Sequence, residues 1–196
     1  MQSRSTALVD VILALIGYIV GMSIVLLLNS ATAHGQTVGW VEERSFFKEG
    51  QTIQRVDGLV NGTINERIGT FVWFQIDPGY AQAYGGLTWS PKPWVQFAGG
   101  PGLEQAKKSA RVGGYVWLGK GKTAFLFVPE YGGSGFWAKA EFNQSVGKRF
   151  GIGAISERYK GTGPKAEVNI SKLKFWGAPL WQDGKINGLV GVRYKF

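Results

Sequence analysis

The amino-acid sequence predicts an all-β protein, a closed antiparallel up-and-down transmembrane β-barrel of about eight to ten strands preceded by an N-terminal signal helix. Three observations predict this fold class. Apolar and polar residues alternate along short segments, turn residues separate these segments, and aromatic residues make up 14% of the chain. Gly is abundant, at 30 of 196 residues, and only 18% of the residues are charged. Short strands joined by Gly-containing turns have this composition.

The N-terminal segment has the composition of an export signal. Residues 11–28 are nearly all apolar, Arg4 precedes them, and a small-residue site ends at Ala33. A positive charge, an apolar run and a small-residue site in this order predict that residues 1–33 are a secretory signal cleaved after Ala33. The alternative is that the apolar run is retained as a transmembrane helix. Residues 34–196 are predicted to form the barrel, and under both interpretations of the N-terminal segment they leave the cytoplasm.

Ten strand segments follow from the alternation of side chains and the turn signals between them. The first covers Thr37–Phe47, and residues 48–66 are predicted to form a long outer loop. The other predicted strands cover residues 71–76, 80–89, 94–103, 111–118, 122–128, 136–143, 149–158, 166–176 and 186–196. The alternative count is eight, if the first two segments lie outside the barrel. An even number of strands places both chain ends on the same side.

Charged residues alternate with apolar ones along the predicted strands. Lys139 and Glu141, for example, alternate with Ala138, Ala140 and Phe142. In a soluble β-sandwich the charged face meets solvent, whereas in a membrane barrel the apolar face meets lipid and the charged face lines the interior. Because buried charges need partners, the membrane interpretation predicts a paired charge network in the lumen. Its predicted members are Lys139, Glu141, Arg149, Glu157, Arg193 and Lys195.

Large aromatic residues lie near the ends of the predicted strands. In membrane barrels such rings form girdles at the two lipid–water interfaces. The residues predicted to lie in these girdles are Trp89, Trp94, Tyr131, Phe136, Trp176 and Trp181. Their positions favour the membrane barrel over the soluble sandwich.

The closing strand carries the most specific signal in the chain. Val190, Val192, Tyr194 and Phe196 alternate with small or charged residues, and Phe196 is the last residue. Over roughly residues 37–196 the chain resembles the small monomeric outer-membrane β-barrels of Gram-negative bacteria. The resemblance implies a location in the bacterial outer membrane and contact with outer-membrane lipid and lipopolysaccharide. It also implies that the barrel-assembly machinery recognises these four residues.

The sequence lacks the residues that several classes of chemistry require. Without Cys the chain has no disulfide, thiolate nucleophile or Cys-based metal site. The one imidazole, that of His34, lies outside the predicted strands, so no general base of that type is available in the barrel. Gly119–Thr123 ends like a phosphate-binding loop, but a strand follows where that motif needs a helix. The sequence therefore predicts no enzyme activity, no cofactor and no metal site.

The net charge of +9 arises from Lys and Arg residues that are scattered along the chain without a dense basic tract. No nucleic-acid partner is therefore predicted. Because small barrels are filled by side chains, the sequence predicts a structural, adhesion or interaction protein. The first alternative is a narrow channel or transporter for small anionic or hydrophobic solutes. The second is a periplasmic β-domain that is anchored in the inner membrane by residues 1–33 and binds a partner.

Overall fold

The computed structural model describes residues 37–196, which form one closed barrel of twelve antiparallel strands. The strands are β1 Thr37–Lys48, β2 Gln51–Thr63, β3 Ile68–Asp77, β4 Tyr80–Lys92, β5 Val95–Glu104, β6 Ala110–Lys120, β7 Thr123–Gly132, β8 Gly135–Val146, β9 Phe150–Glu157, β10 Gly161–Ile170, β11 Leu173–Gln182 and β12 Lys185–Lys195. Each strand pairs with its neighbours in sequence, and β1 pairs with β12 to close the sheet. The fold class is confirmed. The predicted signal, residues 1–33, lies outside the described residues.

The barrel has twelve strands instead of the predicted eight to ten, and the first reason is β2. The sequence interpretation assigned residues 48–66 to a loop, but Gln51–Thr63 form β2. A two-residue turn joins β1 to β2, and its residues Glu49 and Gly50 have positive φ angles of 51° and 76°, as tight hairpins require. The start of β2 is polar on both faces, which hides the alternation that marks other strands.

The second reason is a turn inside the predicted strand 166–176. The chain reverses at Ser171 and Lys172, so that Gly161–Ile170 form β10 and Leu173–Gln182 form β11. Ser171 adopts a left-handed conformation with φ 55°, which is uncommon for a residue other than Gly. Neither turn residue is Gly or Pro, so the sequence gives no strong turn signal at this point.

Every connection within residues 37–196 is short, at two to five residues. The connections lie alternately at the two ends of the barrel. We call the end where β1 begins and β12 ends the terminal end, and the end where β1 turns into β2 the far end. None of the described connections is long enough to fold inside, so within residues 37–196 the interior is occupied by side chains of the strands and of a few turn residues such as Lys160. No helix within the described residues is long and apolar enough to cross a membrane.

Strand register divides the side chains into an inward and an outward set. Trp40 pairs with Leu59, Leu59 pairs with Trp73, and all three point inward. Leu103 points outward and is 66% exposed, whereas Lys139 points inward and is 1% exposed. A soluble sandwich has the opposite arrangement, with apolar residues in the core and charges in solvent. The distribution agrees with that of membrane barrels.

Candidate functional site

The interior of the barrel has two zones. At the terminal end lies an open cavity of about 980 Å³, which we call the vestibule. Its lining includes Trp40, Tyr115, Trp117, Ala124, Asn143, Ser145, Lys195 and Phe196. The second zone occupies the middle and the far half of the interior and extends towards the terminal end along β10 and β11. It consists of ion-paired side chains, and we call it the charged layer.

The charged layer contains eight cationic and eight anionic side chains, each in at least one ion pair. Its members are Glu42, Arg44, Arg55, Asp57, Asp77, Glu104, Arg111, Glu130, Lys139, Glu141, Glu157, Lys160, Lys165, Glu167, Lys174 and Arg193. Their formal charges cancel. The layer is therefore neutral as a whole, which lowers the cost of burying so many ions.

Arg44 lies at the centre of the charged layer, with 1% of its side chain exposed. Its guanidinium contacts Asp57 and donates to Glu157 at 2.7 Å. Glu42 lies 3.8 Å from the Arg44 Nε. The carboxylates come from β1, β2 and β9, so this single cation links strands from different parts of the barrel wall.

Arg55 and Lys160 lie at the far end of the charged layer. Arg55 donates to both oxygens of Asp77, at 2.6 and 2.7 Å, and to Glu157 at 2.9 Å. Lys160, in the turn between β9 and β10, pairs with Glu157 at 2.7 Å. Burial lowers the pKa of Lys160 to about 8, although the neighbouring Glu157 carboxylate opposes the shift. Bidentate pairing fixes Arg55 in one orientation.

A second far-end cluster is centred on Arg111 of β6. Arg111 donates to Glu104 and to Glu130, each at 2.6 Å. The Tyr80 hydroxyl donates to Glu104 at 2.7 Å, and the Tyr84 hydroxyl donates to Glu130 at 3.0 Å. Charge-assisted hydrogen bonds of this kind are stronger than neutral ones. Each carboxylate therefore has both a cation and a hydroxyl as partners.

Paired charges also form the boundary between the charged layer and the vestibule. The Arg193 Nε donates to Glu42 at 2.5 Å, and its guanidinium lies 4.3 Å from the ring centroid of Trp40. Lys165 donates to Glu141 at 2.6 Å. Arg193 and Glu141 both line the vestibule. A solute that enters from the terminal end therefore meets charged groups at the base of the cavity.

Aromatic rings fill the middle of the interior beside the charged layer. Trp73 is 1% exposed. It packs edge-to-face against Trp40 at a centroid distance of 5.3 Å and stacks on Tyr84 at 6.3 Å. The Lys139 ammonium lies 5.3 Å from the Trp73 ring. Rings in these geometries add to the stability that burial alone provides.

The terminal end is strongly cationic outside the charged layer. Its strand ends and turns carry Arg67, Lys92, Lys120, Lys122, Lys148, Arg149, Lys172 and Lys195. Against these eight cations the same segments carry one acidic residue, Glu66. Lys122, Lys148 and Lys195 line the vestibule, and none of the three forms an ion pair with another residue of the described barrel. The mouth of the vestibule therefore has an excess of positive charge.

Four of the six residues predicted for the lumenal network lie in the charged layer: Lys139, Glu141, Glu157 and Arg193. The prediction for Arg149 is wrong. Arg149 lies in the turn before β9, which begins only at Phe150. It is exposed and is not part of the inward-facing set of strand side chains. Lys195 lies on the inward side, exposed at the mouth of the vestibule.

The predicted girdle residues divide in a similar way. Five of them are exposed on the barrel: Trp89, Trp94, Tyr131, Phe136 and Trp181. Trp176 was predicted wrongly, since it is 5% exposed and donates its indole N–H to Glu42 at 3.0 Å inside the barrel. The missed turn at Ser171 explains this error, because Trp176 lies in the middle of β11 and not at the end of a longer strand.

Sequence reasoning also missed most of the charged layer. Asp77, Glu104 and Glu130 lie next to turns, where the sequence alone suggests solvated side chains, but each is held by an interior arginine. In β1, Glu42 and Arg44 alternate with Glu43, which points outward. This alternation was available as a signal, but charges on both faces obscured it. Within residues 37–196 no group of three His, Cys, Asp or Glu side chains is placed to hold a metal ion.

The closing strand pairs with β1 from Gly188 to Lys195. Val190, Val192 and Tyr194 point outward and are exposed. The Phe196 N–H donates to the Gly39 carbonyl at 3.1 Å, and the Gly39 N–H donates to the Phe196 carbonyl at 3.2 Å. The last residue is therefore hydrogen-bonded into the sheet closure. Recognition of these residues by an assembly machinery stays a prediction.

No protein-family model matches this chain, and no curated protein matches it either. Among solved structures, the KdgM porin has a TM-score of 0.54 at 13% identity, over 80% of this chain and 99% of the porin. The KdgM porin in complex with disordered oligogalacturonate has a TM-score of 0.56 at 13% identity, with the same coverage of 80% and 99%. The NanC porin has a TM-score of 0.51 at 10% identity, over 80% of this chain and 100% of that porin. The described barrel therefore shares the fold of these porins.

Proposed function

We propose that this chain is an outer-membrane channel for small anionic solutes, acidic sugars among them. This is the channel alternative of the sequence analysis, and we favour it over a structural or adhesion role. The observation that carries it is the vestibule of about 980 Å³ with its cationic mouth. A barrel that serves only as an anchor or an adhesin has no need of a large charged cavity that opens at one end.

The outward and inward surfaces support a membrane location. Large apolar side chains are exposed on the outside, and ionised ones are paired inside. This distribution has a low free energy in a bilayer and a high one in water. The porin fold adds to this support. In the orientation usual for bacterial barrels, the terminal end faces the periplasm and the far end faces the cell exterior.

The charge of the vestibule supports a preference for anions. Lys122, Lys148 and Lys195 line its mouth, and positive charge in a concave, low-dielectric site raises the local concentration of anions. The rings of Trp40 and Trp117 also line the cavity and offer apolar faces to a sugar ring. The KdgM porin was solved with oligogalacturonate, an acidic sugar polymer, and we extend that class of solute to this chain.

The charged layer is the proposed constriction. Every member is a strand or turn side chain, and no described loop is folded into the barrel. A path to the far end therefore needs only rotation of side chains and exchange of ion-pair partners. Such exchange is possible because an incoming carboxylate can replace an interior one on an arginine. We expect a small conductance that depends on the anion.

Reversal potentials in planar bilayers test the proposal. The triple variant Lys122→Glu, Lys148→Glu and Lys195→Glu reverses three charges at the vestibule, so we expect the reversal potential in a salt gradient to shift towards cation selectivity. The matched control reverses three cations at the far end, which are Lys48, Lys107 and Lys108. We expect a smaller shift there. Absence of conductance in wild-type protein would instead support the structural role, and equal shifts would contradict the vestibule as the selective zone.

A further inference from the structure

The outer surface of the barrel has a groove at the far end of β7 to β10. Its volume is about 380 Å³, and we call it the far-end groove. Residues on its walls and base include Phe127, Phe136, Ala138, Ala140, Arg158 and Tyr159. The groove faces away from the charged layer and has no part in the proposed solute path.

The shape of the groove suits a hydrocarbon chain. Phe127 is paired with Ala140 across β7 and β8, and Ala138 and Ala140 point outward on the same strand. These two small side chains follow Phe136 along the outward face of β8, and the Phe127 ring flanks Ala140 from β7, which leaves a slot along the strand direction. Small residues beside aromatic ones give an apolar surface that an acyl chain can contact closely.

Arg158, in the turn between β9 and β10, places a positive charge at the end of this slot that is nearest the far end of the barrel. Its guanidinium lies 5.3 Å from the Phe136 ring and 4.9 Å from the Tyr159 ring, and it forms no ion pair within residues 37–196. Its backbone N–H donates to the Ala138 carbonyl at 3.0 Å, which fixes the turn against the groove. Glu157 borders the groove from the interior but is already paired with arginine and lysine in the charged layer.

Polar groups other than Arg158 also lie at this position. The Ser156 and Thr162 hydroxyls are 2.7 Å apart on the outward face, and both residues line the groove. Hydroxyls are poor contacts for acyl tails but good donors to phosphate oxygens. A cation with hydroxyls beside an apolar slot matches a molecule that has a phosphate at one end and hydrocarbon at the other.

We propose that the far-end groove binds one membrane lipid, with an acyl chain along Ala138 and Ala140 and the lipid phosphate on Arg158. The proposal rests on the proposed membrane location. The occupant is a phosphate-bearing lipid and not free phosphate, because the slot is apolar and would remain unfilled by phosphate alone. A planar guanidinium binds phosphate oxygens in a bidentate manner.

Native mass spectrometry of the full chain released from detergent micelles tests the site. The probes are phosphatidylglycerol, which has both parts, diacylglycerol, which lacks the phosphate, and glycerol 3-phosphate, which lacks the chains. We expect one bound phosphatidylglycerol and little binding of the other two. Arg158→Gln should weaken binding about tenfold, as expected for the loss of a charge-assisted contact. Ala140→Leu, which fills the slot, should weaken it by a similar factor.

The matched control is Lys172→Gln. Lys172 also lies in a turn beside an aromatic ring, at 5.9 Å from Tyr194, but at the terminal end. Its replacement should leave lipid binding unchanged. Equal binding of diacylglycerol, or no loss in Arg158→Gln and Ala140→Leu proteins that keep wild-type heat-modifiable mobility, would overturn the proposal. A wild-type protein that conducts in bilayers but binds no lipid refutes the groove alone, whereas failure to insert into bilayers refutes the proposed function.

Discussion

The far half of the interior is filled by side chains, whereas the terminal half contains an open cavity, although the same strands form both halves. On β8, Trp137 and Lys139 project into the filled half, and Asn143 and Ser145 project into the vestibule. The backbone is the same regular strand throughout. The size and the pairing of inward side chains, and not the path of the chain, therefore set the free space inside this barrel.

Two inward cations make the same point. Arg44 has three carboxylates within 4.0 Å. Lys195 has no ion pair within residues 37–196 and lies at the mouth of the vestibule. A buried cation is stable only with its partners, whereas a cation at a wet mouth is stabilised by water and attracts anions. One zone holds the barrel together, and the other is the zone in which we propose that solute binds.

The largest expected effect comes from the centre of the charged layer. Arg44→Met leaves Asp57 and Glu157 without their central cation, so we expect the free energy of unfolding to fall by about 3–5 kcal/mol. Lys148→Met at the vestibule should change it by no more than about 0.5 kcal/mol. Urea unfolding of the barrel in lipid vesicles measures both. Similar losses in the two variants would contradict the division into a structural and an open zone.

A pair of tryptophans gives the next comparison. Trp73 is buried between Trp40 and Tyr84, and Trp117 lines the vestibule. We expect Trp73→Ala to cost about 3 kcal/mol, because it leaves a cavity in a packed region. Trp117→Ala should cost about 1 kcal/mol, since water fills the space. The same unfolding assay applies, and an equal cost at both sites would mean that the vestibule is as tightly packed as the layer.

A smaller effect is expected from pH at the far end of the charged layer. Since burial lowers the pKa of Lys160 from 10.5 to about 8, the folded protein releases this proton before the unfolded chain does. Between these two values the unfolded state binds more protons, so stability rises with pH. From about pH 7 to pH 10 we expect the free energy of unfolding of wild type to rise by about 2–3 kcal/mol relative to that of Lys160→Met.

Unfolding curves across this pH range, with Lys107→Met as the exposed control, check the prediction. Other groups titrate in the same range, but their contributions cancel in the difference between wild type and Lys160→Met. The free energy of unfolding of the Lys107→Met control should follow that of wild type at every pH. If the free energy of unfolding of Lys160→Met has the same pH dependence as that of wild type, Lys160 is not desolvated in the folded barrel.

Local alternation in the sequence was enough to predict the fold class and to place Lys139 and Glu141 inside. It was not enough for β2, whose first residues are polar on both faces, or for the turn at Ser171. It also could not predict that Arg44 pairs with Glu157, because these residues are 113 positions apart in sequence. Alternation gives the face of a residue, whereas its partner across the lumen depends on how many strands separate the two.

The short connections have a consequence for what the protein displays to its surroundings. Bacterial barrels usually present long loops to the exterior, but here six far-end connections of two to five residues are all that the described chain offers there. In the proposed orientation, with the far end at the cell exterior, such short connections offer antibodies and bacteriophages little flexible chain to bind. The longest of these connections, residues 105–109, is the natural place to graft a peptide epitope.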